Sequence, residues 1–396
     1  MLQTGNFADN FMAFVINGLL AFIIAFSATP MAKKLAFKIG AVDVPKDGRR
    51  MHTKPIARLG GIAIVAGFTV SILLNFIGLD NFPADNGMEL LGLFAGALII
   101  VITGIVDDIR PVNAKIKLLL QIAAALAVIF ISGTRIESIT NPFSPAGSWY
   151  FGDLYFLSYF VTVLWIVGVT NAINLIDGLD GLAAGVSAIC SLSLFFISIT
   201  RNDIPQSVAF FAGIVTTSLA GSALGFLPFN FHPAKIFMGD TGATFLGFVL
   251  AVISIHGTVK SYAAFSIALP LIVLGLPLLD TVFAVIRRIL GRKPIMTADR
   301  GHLHHRLIDM GLSHKQTVAV MYTASSTLGI CAIVLANRGT LSAIVLLLSV
   351  SVFIIGGAKC MRFLDEDSPE DTKNEAPASS VVEKAEEAKS VNLKNS

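Results

Sequence analysis

Eleven stretches of this chain stay apolar for long enough to cross a bilayer, separated by polar connections. They are 11–28, 59–79, 90–106, 116–132, 156–176, 182–200, 207–227, 243–258, 263–286, 319–336 and 339–358. A hydrocarbon core about 30 Å thick needs roughly 20 apolar residues at helical rise. Backbone groups in hydrocarbon must be bonded within their own segment, so these long uninterrupted runs predict helices rather than barrel strands. The expected fold class is an all-α polytopic integral membrane protein with 11 transmembrane helices within residues 1–362. After Phe363 large apolar residues become rare and charges frequent, which predicts a disordered, charged tail over 363–396. Asp9, and no basic segment, precedes the first run, so that run reads as a retained helix and not as a cleaved signal.

Composition agrees: 54% of the 396 residues are hydrophobic and 14% charged, more apolar surface than one soluble core can bury. The net charge of +3 does not point to nucleic acid, and its distribution says more than its size. The connections after the first and ninth runs, Arg110, Lys115, Lys117, Lys235 and the tail together hold 25 of the 29 basic residues on one side. Only Arg135, Arg201, Lys260 and Arg338 fall on the other. Basic residues are retained in the cytoplasm, so the N-terminus is expected outside and the C-terminus inside. Cys190, Cys331 and Cys360 are too few and too scattered for a disulfide framework or a zinc site.

Against this background six acidic residues stand out, Asp107, Asp108, Asp177, Asp180, Asp240 and Asp280, each at or near the cytoplasmic end of a run. Ionisable groups at a membrane boundary are costly and carry functional hypotheses by default. Asp280, shortly before Arg287 and Arg288, reads as a solvated helix end or an ion-paired structural residue and stays outside the catalytic set. Asp107 and Asp108 are adjacent carboxylates that raise each other's proton affinity unless a cation compensates. Lys117, nine residues after Asp108, is placed to reach a phosphate held there.

Three further stretches carry chemistry. In NAINLIDGLDGLAAG, residues 171–185, Asn171, Asn174, Asp177 and Asp180 recur every three residues, near one face of a helix continuing the fifth run. In LGFLPFNFHPAKIFMGDTGATFLG, Asn230, Lys235, Phe237 and Asp240 lie in one cytoplasmic connection. Gly239 and Gly242 flank Asp240 and leave its carboxylate open to a metal-bound diphosphate, the kind of site Mg²⁺ takes. Phe237 is either a packed aromatic or a platform for a base. In RGHLHHRLIDMG, residues 300–311, His302, His304 and His305 lack the companions of a zinc site. With Arg306 they can balance charge on a sugar diphosphate, or form a basic patch for anionic lipid.

The order of these motifs, a GlyGly after a basic loop, AspAsp, NAINLIDGLDG, FMGDTG and HLHH, resembles the polyprenyl-phosphate N-acetylhexosamine-1-phosphate transferases of glycosyltransferase family 4. The resemblance covers about residues 10–360 and is nearest the WecA/TagO-like branch, related to MraY. It implies Mg²⁺, with Mn²⁺ as a substitute, held by Asp240 and Asn174. Asp107 and Asp108 would deprotonate or position the lipid phosphate. Leu179, Asp180, Asn230 and Phe237 would hold the uridine, Lys117 the diphosphate, and His302, His304, His305 and Arg306 the sugar phosphate. The HLHHR form favours UDP-GlcNAc over UDP-MurNAc-pentapeptide. The implied reaction transfers a sugar 1-phosphate to undecaprenyl phosphate and releases UMP. The implied setting is the bacterial cytoplasmic membrane, with the bilayer and the two substrates as partners, no nucleic acid, and room for a homodimer. An ion-coupled secondary transporter is the rival from another class, although transporter sites lie near the bilayer midplane.

Overall fold

The computed structural model describes residues 7–44, 55–78, 86–140, 148–151, 153–201, 204–259, 267–292 and 301–338, with Leu346, Leu348 and Ser351 beyond them. All fall within one unit that ends at Ser351. Nearly all of the eleventh predicted run and the whole predicted tail lie outside the described residues.

Twelve helices account for most of what is described. They are α1 (Phe7–Ile39), α2 (Gly61–Gly78), α3 (Gly87–Ile109), α4 (Ala114–Ser132), α5 (Tyr155–Ile176), α6 (Leu182–Thr200), α7 (Gln206–Asn230), α8 (Gly239–Val259), α9 (Ala268–Val273), α10 (Gly275–Leu290), α11 (Leu303–Asp309) and α12 (His314–Arg338). Eight of them are long and apolar enough to cross a membrane, and α2 is a shorter apolar helix. The protein is a polytopic membrane protein.

Two boundaries differ from the expectation. α1 continues to Ile39 through Pro30, so Lys33, Lys34 and Lys38 ride on the helix instead of lying in a loop. At 33 residues it is about 50 Å long at helical rise, more than the hydrocarbon core needs. The ninth run is not one helix. It breaks at Leu274 (φ −91°, ψ 11°) between α9 and α10. Pro277 lies in the first turn of α10, where a missing N–H costs no helical bond.

Two short ribbons escaped the apolar pattern. β1 (Val42–Asp43) pairs antiparallel with β2 (Ile56–Ala57), and β3 (Ser138–Thr140) with β4 (Ser148–Tyr150). The first ribbon organises the site. Ala57 O accepts from Phe237 N–H at 2.8 Å, and Gly60 and Gly61 N–H donate to Phe237 O and Met238 O at 2.9 and 2.8 Å. The FMGD segment is thereby stitched to the start of α2.

α8 is the hub of the bundle and packs on α2, α3, α5, α6, α7 and α9. Its N-terminal turn sits so close to α2 that a Cβ on Gly61 would collide with the Gly242 backbone. Small residues at such crossings let backbones approach, which is how helices gain packing contact in lipid. A second close seam joins α1, α2 and α7. There Asn17 Nδ2 donates to Ile214 O, Thr217 Oγ1 and Ser218 Oγ at 2.8–2.9 Å, and Asn17 Oδ1 accepts from Asn75 Nδ2 at 2.6 Å.

Candidate active site

The end of α3 meets the beginning of α8. Gly239 takes a left-handed φ of +69°, which starts α8 with Asp240 in its first turn. Asp108 comes across from α3 to hold that turn. Its Oδ1 accepts Asp240 N–H at 2.9 Å, and its Oδ2 accepts Thr241 N–H at 3.0 Å and the Thr241 hydroxyl at 2.6 Å. A carboxylate on the exposed N–H groups of a helix start is favourable in both hydrogen bonding and dipole. Asp108 is thus fully engaged, and its side chain is completely buried.

Asp107, one residue earlier, does something else. Its Oδ1 accepts Val112 N–H at 2.7 Å in the α3–α4 turn, and its Oδ2 lies 2.7 Å from Lys117 Nζ. The same ammonium lies 2.7 Å from Asp240 Oδ2, so Lys117 of α4 bridges the two carboxylates. Arg58, just after β2, approaches Asp108 Oδ1 at 3.9 Å. Asp177 follows the last residue of α5, where burial, and after it the carboxylates of Asp240 and Asp108, push it up to about 8. Among the described residues, Lys117 and Arg58 are the cations paired with Asp107, Asp108 and Asp240.

These groups border a half-open cavity of about 890 Å³. Of the residues expected at the site, Asn174, Asp177, Leu179, Asp180, Asn230, Phe237, Asp240 and His305 line it. Asp107 and Lys117 adjoin it through Asp240. Asn230 is also a clamp: its Oδ1 accepts Gly181 N–H at 3.0 Å and its Nδ2 donates to Ile236 O at 3.0 Å. Asp180 Oδ2 accepts Ala234 N–H at 3.0 Å and lies 2.9 Å from His232 Nδ1.

Four expected residues lie elsewhere. Asn171 points into the α4–α5 interface, where its Nδ2 donates to Gln121 Oε1 at 2.6 Å and to Val167 O at 2.8 Å. Its three-residue spacing from Asn174 carries it one turn deeper into the bundle, where a helix partner is nearer than the cavity. His302 and His304 are buried away from the lining, at 5% and 1% exposure. His304 packs against Gly178, where a Cβ would lie 2.5 Å from its Nε2. Neither of its ring nitrogens has a partner among the described residues, and burial holds it neutral with a pKa lowered to about 4. Arg306 is exposed. Asp280, expected to pair with Arg287 and Arg288, instead takes His302 and Leu303 as its partners, at 2.9 and 2.8 Å.

Lys235 lines the cavity with Asn230, Phe237 and Asp240, and the cavity also recruits residues the sequence did not single out for the site: Lys33, Arg58, His232 and His314. Lys33 lies beyond the apolar run 11–28 but still on α1. Asp180, His232 and His314 bring one ligand atom each within 4.8 Å of one another. The two imidazoles are stacked at 4.2 Å and 24°, however. Near-parallel rings aim their lone pairs side by side and not at one point, so the trio reads as a wall of the cavity.

The donor set facing the cavity suits a hard divalent cation. Asp240 and Asn174 offer oxygens and no sulfur.

A bundle of membrane helices that gathers carboxylates, a bridging lysine and a large cavity at one end defines a membrane enzyme that handles a charged substrate at its surface. Residues 90–258 match the pattern of glycosyl transferase family 4. The chain is 42% identical over 326 residues to the probable undecaprenyl-phosphate N-acetylglucosaminyl 1-phosphate transferase of Bacillus subtilis, covering 82% of this chain and 84% of that one. It is 34% identical over 325 residues to the decaprenyl-phosphate N-acetylglucosaminephosphotransferase of Mycolicibacterium smegmatis, 77% and 78% of the two chains. With the undecaprenyl-phosphate alpha-N-acetylglucosaminyl 1-phosphate transferase of Yersinia pestis it shares 26% identity over 314 residues, 79% and 82% of the two chains. The chain belongs to glycosyl transferase family 4.

Proposed function

We propose that the protein transfers GlcNAc 1-phosphate from UDP-GlcNAc to undecaprenyl or another polyprenyl phosphate, releasing UMP and starting a lipid-linked envelope glycan. The observation that carries this reading is the Lys117 bridge between Asp107 and Asp240 beside the large cavity, in a chain so close to named transferases of this kind.

An oxygen of the acceptor phosphate attacks the sugar-bearing phosphorus of the donor. The bond to the uridine-bearing phosphate breaks, and UMP leaves with its electron pair. Mg²⁺, with Mn²⁺ as a substitute, would be held by Asp240 and Asn174 and would neutralise charge on the donor diphosphate. Lys117 offers a cation to a phosphate entering between Asp107 and Asp240. Asp107, the more open of the adjacent pair, meets the acceptor phosphate. Its role as a base is secondary, because a phosphate monoester is already largely ionised near neutral pH. Asp108 supports the reaction by holding the first turn of α8. Leu179, Asp180, Asn230 and Phe237 border the space for the uridine, and His305 the sugar phosphate.

The proposed topology has 11 spans, an external N-terminus, a cytoplasmic active site and a separate charged tail over 363–396. It suits a cytosolic donor and an acceptor whose tail stays in the bilayer. A homodimer is compatible with this arrangement. The carboxylates lie at helix ends and not mid-span, which argues against an ion-coupled transporter.

The test is an assay of purified protein with undecaprenyl phosphate against a panel of UDP-sugars, including UDP-MurNAc-pentapeptide, with the lipid product identified by mass. UDP-GlcNAc is expected to be preferred, with UMP release needing both the lipid and a divalent cation. No UMP release from any UDP-sugar would overturn the reading, and preference for another sugar would change the donor.

A further inference from the structure

α10 turns Leu279, Val282, Phe283 and Ile286 outward and buries Asp280, Ala284 and Arg288, four residues apart, on its inner stripe. A carboxylate on that stripe costs free energy unless it is bonded, and Asp280 is bonded twice. Its Oδ1 accepts Leu303 N–H at 2.8 Å, and its Oδ2 lies 2.9 Å from His302 Nδ1. Asp280 and His302 are 7% and 5% exposed, so water does not compete for these bonds. His302 immediately precedes α11 and makes no side-chain bond to its first turn. Asp280 reaches across from α10 and supplies one. Because a carboxylate only accepts, it also fixes a proton on His302 Nδ1 and thus the orientation of the ring.

The contacts continue toward the cavity. The His302 ring lies parallel to that of His304 at 5.8 Å and 5°, and His304 meets His305 at 4.3 Å. His304 also touches Gly178, beside Asp177. Of the three histidines, only His305 lines the cavity.

We infer that Asp280 is a positioning residue for the transfer reaction: it pins the first turn of α11 and, through His302 and His304, sets how His305 enters the cavity. Asp280 itself does not line the cavity, so it touches no substrate there. The inference rests on the reaction proposed above.

The test uses purified full-length wild type, Asp280→Asn, His302→Gln and the double variant, with UDP-GlcNAc and undecaprenyl phosphate. Each single substitution is expected to lower kcat/KM for UDP-GlcNAc about 10- to 100-fold, the usual scale for removing a carboxylate that orients a functional histidine. The KM for undecaprenyl phosphate and the melting temperature should hold. Because both changes break one connection, the double variant should be no worse than the more damaged single one. Hydrogen exchange over residues 301–310 should speed up in Asp280→Asn while the rest of the chain is unchanged.

Losses that multiply in the double variant, an equal rise in both KM values, or losses that merely track the folded fraction would overturn the positioning role. So would an Asp280→Asn protein with native turnover and native exchange. A wild type that releases no UMP would instead overturn the transfer reading, and exchange over residues 301–310 would still decide whether Asp280 anchors α11.

Discussion

The seam around Asn17 and the cluster around Asp240 are both buried polar groups inside an apolar bundle, and they are balanced in opposite ways. In the seam every contact is neutral and closed. Asn17 serves three acceptors on α7, Asn75 bonds Asn17 and Ser71 O, and Ser71 reaches Ser218 at 3.0 Å. In the cluster, among the described residues, Asp107, Asp108 and Asp240 are ion-paired to Lys117 and Arg58, beside an 890 Å³ cavity that Asp177, Lys33 and Lys235 also line. A closed neutral network holds helices together. A network of charges open to a cavity keeps stabilisation in reserve for something that arrives, here a cation and phosphates.

The sharpest way to break this contrast is a matched pair of substitutions. Asp240→Asn keeps the side-chain shape and is expected to cut UMP release by about 10²–10³-fold or more, with the melting temperature within a few degrees of wild type. Asn17→Leu should do the reverse. Turnover per folded molecule should stay within about twofold, while stability falls by about 1–3 kcal/mol, because Asn75 and the α7 hydroxyls lose their partner. Melting in detergent beside UMP release reads both quantities. Full turnover in Asp240→Asn, or none in well-folded Asn17→Leu, would show that charge balance does not separate site from scaffold.

The same contrast explains what the sequence made legible. Asn174, Asp177, Asp180 and Asp240 stood out as polar groups at the glycine-rich ends of apolar runs, whereas Leu179, Asn230 and Phe237 came with the family resemblance. All of them line the cavity. The difference between Asp107 and Asp108 was not legible. Neighbours on a helix point about 100° apart, and only the position of α8 decides which of them holds its start. Asn171 misled because three-residue spacing gives direction and not depth. Lys33, His232 and His314 depend on contacts between distant segments, which no local pattern encodes. For α1, Pro30 and the lysines that follow the apolar run are accommodated within the helix, whose length the apolar count could not measure.

His304 belongs to neither class: it is buried and polar, yet without a described partner. Its pKa is lowered from 6.5 to about 4 by burial, so between those values the unfolded chain binds the proton and the folded one does not. Stability therefore falls as pH drops through 6.5 toward 4. From pH 7 to pH 5 the loss attributable to this group is about 2 kcal/mol. Replacing His304 with Gln should flatten that part of the profile, measured as the difference between the two proteins' melting curves at each pH. Parallel profiles would mean that His304 gains a partner in solution and stands with the closed networks after all.

The smallest expected effect is at Arg306, and it tests whether membership of the site follows orientation or motif. Arg306 adjoins His305 in the HLHHR run, and the family resemblance assigns both to the sugar phosphate. On α11, however, one residue is a turn of about 100°. With His305 on the cavity lining, Arg306 is exposed on another side, its backbone N–H bonded to His302 O at 3.1 Å. An exposed guanidinium acts on the donor only through the field around it, which salt screens within about 10 Å at 0.1 M. Arg306→Ala should therefore change kcat and KM for UDP-GlcNAc by no more than about twofold, the usual scale of a surface substitution, and any rise in KM should vanish as salt is raised. A tenfold loss that persists in high salt would mean that the guanidinium reaches the donor, so that α11 turns when the donor binds and the arrangement described here is its resting position.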